Sequence, residues 1–122
     1  MKEIIRELFH VSPAAWPVTS LKLGNLTYTQ ADLLTILGTP TKGDASLILA
    51  DQLIAAILNL AQGSNPTPIS KTIPGANGLL SEFFGVLPYH VDPSSATGQA
   101  MVNDATSLES YNNGKLTPAC TP

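Results

Sequence analysis

The chain has 122 residues, of which 43% are apolar and only 12% are charged. This length is usual for one domain and this composition supports a hydrophobic core, so intrinsic disorder and a second catalytic domain are both excluded. The net charge is -3, and the six Lys and Arg residues form no basic cluster. Nucleic acid is therefore an unfavourable partner, because phosphate recognition needs grouped cations.

An amphipathic helix is predicted at residues 2–10, where four apolar residues share one face: Ile4, Ile5, Leu8 and Phe9. The charged residues between them interrupt the apolar run that a signal peptide needs, so no signal peptide is expected. Beyond this helix, Trp16 lies between Pro13 and Pro17 and is predicted to cover an edge of the core.

A short β-ribbon is predicted near residues 21–28, because apolar residues alternate around Gly24-Asn25, a pair that suits a tight hairpin turn. The next helix should begin after Thr29, since Asp32 three residues later completes an approximate capping box. Gly38 should end this helix.

The most apolar helix is predicted at residues 45–62, with Asp44 as its N-cap. Apolar residues cover most of its circumference, so it should run through the centre of the fold. Asp51 and Gln52 lie near its middle, and an aspartate at a bilayer centre is costly. A buried helix is therefore expected here, and no membrane span.

In the C-terminal half, a helix is predicted over residues 67–73, with Pro74-Gly75 as an interruption before the apolar pattern resumes towards Gly85. Either one kinked helix or two short helices are expected there. Residues 87–93 should be largely extended, and a last helix should begin at Ser94 or Ser95. The predicted fold is all-α: one compact bundle of four to five helices at residues 1–114, built around the helix 45–62. Residues 115–122 are read as a C-terminal tail.

The sequence offers one weak candidate for a catalytic site, the polar cluster of His90, Asp92 and Ser94. A base, a carboxylate and a hydroxyl in one stretch suit a small hydrolase, and His90 and Asp92 would share a side if the segment were an extended strand. The same residues before a helix are typical of N-capping, which is the favoured interpretation. No catalytic residue, metal site or cofactor is therefore assigned; with only two histidines, a three-histidine metal site is excluded.

Asp51 and Gln52 are a second polar pair, because a buried carboxylate can acquire a raised pKa. The favoured interpretation is that these residues form an exposed or hydrogen-bonded stripe with Asn59.

An apolar patch is the remaining candidate site. Its predicted members are Trp16, Ile57, Phe83, Phe84, Val86 and Met101. The helix at 2–10 is too short to be stable alone, so it should dock on the part containing Ile57, Phe84 and Val86, within the chain or in a second copy. The second arrangement would make a homo-oligomer. A pocket between the central helix and Phe83, Phe84 and Met101 would instead suit an apolar small-ligand carrier.

Several segments resemble a secreted bacterial domain of uncharacterised function. They are Pro13-Ala14-Ala15-Trp16-Pro17, Gly24-Asn25-Leu26-Thr27-Tyr28-Thr29, Gly43-Asp44-Ala45-Ser46, Leu87-Pro88-Tyr89 and Tyr111-Asn112-Asn113-Gly114. The resemblance covers residues 13–122 and implies an extracellular or cell-surface location, with no reaction attached.

The chain departs from that family at its start, where a Gly-Tyr-Trp-Lys-Asn-His-Pro type motif is replaced by the predicted helix. The cysteine that the resemblance implies as a partner for Cys120 is also missing. An engineered derivative would explain a new helix together with new apolar residues for it to bury. The leading interpretation is a non-enzymatic interaction or structural module of an exported bacterial protein, or an engineered derivative of one, with an unidentified protein or surface as partner.

Overall fold

The computed structural model describes residues 19–61, 63 and 65–112. They form four helices, one 3-10 turn and a two-stranded antiparallel sheet: β1 (Ser20–Leu23), β2 (Leu26–Thr29), α1 (Gln30–Gly38), α2 (Ala45–Ala61), the turn Thr67–Ile69, α3 (Thr72–Leu80) and α4 (Ala96–Asn112). The mostly helical class and the small ribbon are confirmed. The predicted helix at 2–10, Trp16 and the tail 115–122 lie outside the described residues.

The hairpin of β1 and β2 is anchored to the end of α3. Its turn residue Gly24 has a φ of +62°, which suits glycine, and its backbone N–H donates to Asn77 Oδ1 at 2.9 Å. Asn25 Nδ2 donates to the Ser81 carbonyl at 2.8 Å. A Cβ at Gly24 would lie 3.0 Å from the backbone of Leu80, so a larger residue would push the turn away from α3.

The capping box predicted for α1 is present. The Thr29 hydroxyl accepts from the Asp32 N–H at 3.2 Å, and the Asp32 carboxylate accepts from the Thr29 N–H at 3.1 Å. These reciprocal bonds satisfy two amides that the start of a helix leaves free. The helix therefore begins directly at the end of β2, and the two elements lie side by side.

Helix α2 contacts α1, α3 and, most extensively, α4. Leu49, Leu53 and Ile54 are fully buried, as their apolar pattern predicts. A polar link also joins α2 to α4: Asn112 Nδ2 donates to Gln52 Oε1 at 2.9 Å, and Asn59 Nδ2 donates to Asn112 Oδ1 at 3.1 Å. Gln52 and Asn59 thus belong to one hydrogen-bonded network, as predicted, whereas Oδ1 of Asp51, the third residue of the predicted stripe, has no hydrogen-bond partner.

The prediction that Pro74-Gly75 interrupts a helix is wrong. Pro74 is the third residue of α3, where a missing N–H costs nothing because first-turn amides have no partner within the helix. The helix ends at Leu80, before Phe84. None of the helices within the described ranges is long and apolar enough to span a membrane.

Candidate functional site

An open apolar groove with a volume of about 360 Å³ lies between β2 and α1. We call it the β2–α1 groove. Eight residues line it: Leu26, Thr27 and Tyr28 from β2, Asp32, Thr35 and Ile36 from α1, and Val86 and Leu87 from the loop after α3. The capping box sets the angle between the first two walls, because it begins α1 where β2 ends.

The third wall belongs to residues 81–89, which we call the Phe84 loop. Two tyrosine side chains hold the backbone of this loop. The Leu87 N–H donates to the Tyr28 hydroxyl at 3.1 Å, and the Tyr89 hydroxyl donates to the Gly85 carbonyl at 2.9 Å. The rings of Phe83 and Tyr89 also stack, with centroids 5.1 Å apart and planes 11° apart. Burial, followed by the neighbouring Tyr28, raises the pKa of Tyr89, so its hydroxyl stays neutral and keeps donating.

This braced loop exposes two large apolar side chains. Phe84 is 94% exposed and Val86 is 68% exposed, and within the part of the chain that the structure describes they are the large hydrophobic residues left at the surface. Exposed aromatic residues beside an apolar groove are typical of surfaces that bind other molecules. We call Phe84, Val86 and the β2–α1 groove together the docking surface.

The other predicted patch residues lie elsewhere. Met101 is fully buried in the core, so it cannot contribute to a surface or to an open pocket. Ile57 and Phe83 are partly buried and pack against the core. The β2–α1 groove lies in a different place from the expected pocket between α2, Phe83, Phe84 and Met101. Leu26, Tyr28 and Ile36 were missed as site residues, because their apolar character alone indicates only a core position.

Asp44 is the centre of a buried hydrogen-bond network and is only 8% exposed. Its Oδ1 accepts from the N–H of Ser46 at 2.9 Å and from that of Val91 at 3.0 Å, and its Oδ2 accepts from the His90 N–H at 3.1 Å. Burial opposes ionisation, but these bonds and one from the Ser46 hydroxyl outweigh it and lower the pKa of Asp44. The carboxylate thus caps α2 and fixes residues 90 and 91, a role that the sequence indicated only in part.

The cluster of His90, Asp92 and Ser94 does not form a relay. Ser94 donates both its N–H and its hydroxyl to Asp92 Oδ1, each at 2.8 Å, and these bonds lower the pKa of Asp92. Across residues 19–112 as far as they are described, no hydrogen bond joins the imidazole of His90 to either partner. His90 Nδ1 instead lies 3.9 Å from Asp44 Oδ2, and the His90 side chain is 81% exposed.

His90 also departs from the extended strand that the sequence suggested. Its φ is +56°, so the alternation that would have placed it on the same side as Asp92 does not hold. The helix cap is Ser95, whose hydroxyl accepts from the Gly98 N–H at 3.0 Å. The polar groups next to α4 are therefore used in turn and cap formation, as the favoured interpretation held.

Asp51 is half-buried, and its Oδ1 is the one buried side-chain oxygen or nitrogen of the described residues that has no hydrogen-bond partner. Burial raises the pKa of this carboxyl to about 8. It lies on α2, and no second titratable residue of the described chain accounts for the rise. No group of three or more metal-ligating side chains occurs among the residues that the structure places.

No protein family, no curated protein and no solved structure was found to match this chain.

Proposed function

We propose that the chain is a non-enzymatic interaction module that binds a protein partner at the docking surface. The observation that carries this proposal is the exposure of Phe84 and Val86 on a loop that is held in place by Tyr28 and Tyr89. A rigid apolar anchor loses little conformational entropy on binding, whereas a frayed loop would lose much more. We expect the partner to present the apolar face of a helix, because the groove is an apolar channel with one charged lining residue, Asp32.

The proposal also covers the finer architecture and the origin of the chain. We infer a bundle in which α1, α3 and α4 surround α2, since α2 contacts all three. We further infer, from the resemblance at residues 13–122, that the module belongs to an exported bacterial protein or is an engineered derivative of one. Both inferences suit a small domain that presents one surface and carries no reaction.

Peptide display on the full chain tests this function. Random peptides are selected on the wild type and then compared on the Phe84→Asp, Val86→Asp double variant. The Asn103→Asp, Ser107→Asp variant is the control, because it adds the same charge at exposed positions of α4. We expect enriched peptides with an apolar helical stripe, which bind the wild type and the control but lose binding in the double variant. Equal binding to all three proteins, or no enrichment, would contradict the proposed function.

An apolar small-ligand carrier is the second candidate. The volume of the groove, about 360 Å³, lies at the lower end of the range typical of small-molecule sites. Its open form favours a peptide, because ligand pockets usually enclose most of their ligand. Titration with medium-chain fatty acids separates the two: saturable binding that Ile36→Asp abolishes would support the carrier.

A further inference from the structure

The docking surface has a candidate occupant within the chain itself. We propose that residues 2–10 of the same chain bind in the β2–α1 groove and cover it until a partner displaces them. This inference rests on the proposed function, since it names what competes with the partner at that site. Two independent observations carry it: the apolar stripe of the segment and the place where the described chain begins.

The stripe of residues 2–10 needs a surface to cover it. Ile4, Ile5, Leu8 and Phe9 recur at helical spacing, and a helix of nine residues is not stable in water unless its apolar face is buried. The β2–α1 groove offers Leu26, Ile36 and Val86 as an apolar floor and wall. Such a pairing is the helix-in-groove mode, in which side chains at helical spacing enter a hydrophobic channel.

The described chain begins at the edge of this groove. The Thr19 carbonyl accepts from the Gln30 N–H at 3.1 Å, so Thr19 lies beside the first residue of α1, two residues before the lining residue Asp32. Residues 11–18 lie between position 10 and Thr19, and an extended chain across that interval reaches about 30 Å. From Gln30 to Ile36, α1 rises only about 9 Å. The connection is therefore long enough for residues 2–10 to reach any part of the groove.

Charge is compatible with this occupant but does not select it. Asp32 is the charged residue that lines the groove, and the segment carries two cations, Lys2 and Arg6, and two anions, Glu3 and Glu7. Ile57, which the sequence suggested as part of the landing surface, does not line this groove. The inference therefore places the segment between β2 and α1 and not on α2.

A dye in the groove of the full chain tests the inference. Thr35 is exposed and lines the groove, so Thr35→Cys in a Cys120→Ser background takes an environment-sensitive thiol dye. The test variant adds Ile5→Asn and Leu8→Asn on the apolar face of the segment. Its matched control adds Glu3→Asn and Glu7→Asn on the polar face. Circular dichroism and melting curves confirm that each labelled protein is folded.

We expect the dye emission to shift to the red in the apolar-face variant only, with no dependence on protein concentration. A synthetic peptide of residues 1–12, added to that variant, should restore the original emission. Unchanged emission in the apolar-face variant would overturn the inference. A shift that depends on protein concentration and follows a dimer in light scattering would also overturn it, since the segment would then bind a second copy. In either case the peptide-display result would still decide the proposed function separately.

Discussion

The stability of this protein should fall as the pH rises, because of Asp51. The carboxyl has a pKa of about 8 in the folded chain against 3.8 as its ordinary value. Folding therefore favours the protonated form, so the contribution of Asp51 to the free energy of unfolding is fully present below pH 4 and is lost between pH 4 and pH 8. The two pKa values differ by about four, which corresponds to about 6 kcal/mol at 1.36 kcal/mol per pKa unit. Partial exposure of Asp51 reduces this cost through solvent screening to about 2 to 4 kcal/mol.

Urea denaturation of the wild type and of the Asp51→Asn variant, from pH 5 to pH 9, measures this effect. The amide has nearly the same shape and no charge, so we expect the variant to keep its stability at pH 9 while the wild type loses it. Subtracting the two profiles removes the contribution of the histidines. Asp92→Asn is the control, because the lowered pKa of that exposed carboxyl places its titration in the acid range. Parallel profiles for the wild type and Asp51→Asn would refute the reasoning.

Three further predictions concern the core, the buried network and the polar cluster. Leu53→Ala should lower the free energy of unfolding by about 2 to 5 kcal/mol in urea denaturation, and a loss below about 1 kcal/mol would place α2 at the surface. Asp44→Asn should lower the free energy of unfolding at pH 7 more than Asp92→Asn does, because Asp44 is buried and accepts hydrogen bonds both from α2 and from Val91. The reverse order in urea denaturation would contradict the role of Asp44. His90→Ala should leave any hydrolysis of chromogenic esters unchanged, whereas turnover lost in both His90→Ala and Asp92→Ala folded variants would reinstate the hydrolase.

Local signals in the sequence identified much of the fold. The Gly24-Asn25 turn and the Thr29 and Asp32 capping box depend on residues close together in the chain, and both are present. The effect of Pro74 was predicted wrongly because it depends on more than the neighbouring residues. A proline breaks a helix only in its interior, and whether Pro74 is interior depends on where α3 begins, which no local signal fixed.

The candidate site was harder to predict, because its walls come from distant parts of the chain. Val86 is a member of the predicted apolar patch. Leu26 and Ile36, in contrast, have the same character as core residues, and only the packing of β2 against α1 leaves them beside an opening. The prediction for Met101 fails in the opposite direction, because this residue was assigned to the apolar patch but is fully buried in the core. Exposure is a property of the tertiary arrangement, so periodicity alone does not reveal it.

The central claim is that the docking surface binds an apolar helix, and amide chemical shifts of the labelled full chain test it most directly. A displayed peptide that binds the wild type is titrated into the protein, and the perturbed residues are assigned. We expect the largest shifts at Leu26, Thr35 and Val86, with none at residues 90–94. Shifts concentrated at residues 90–94, with the groove unaffected, would contradict the account.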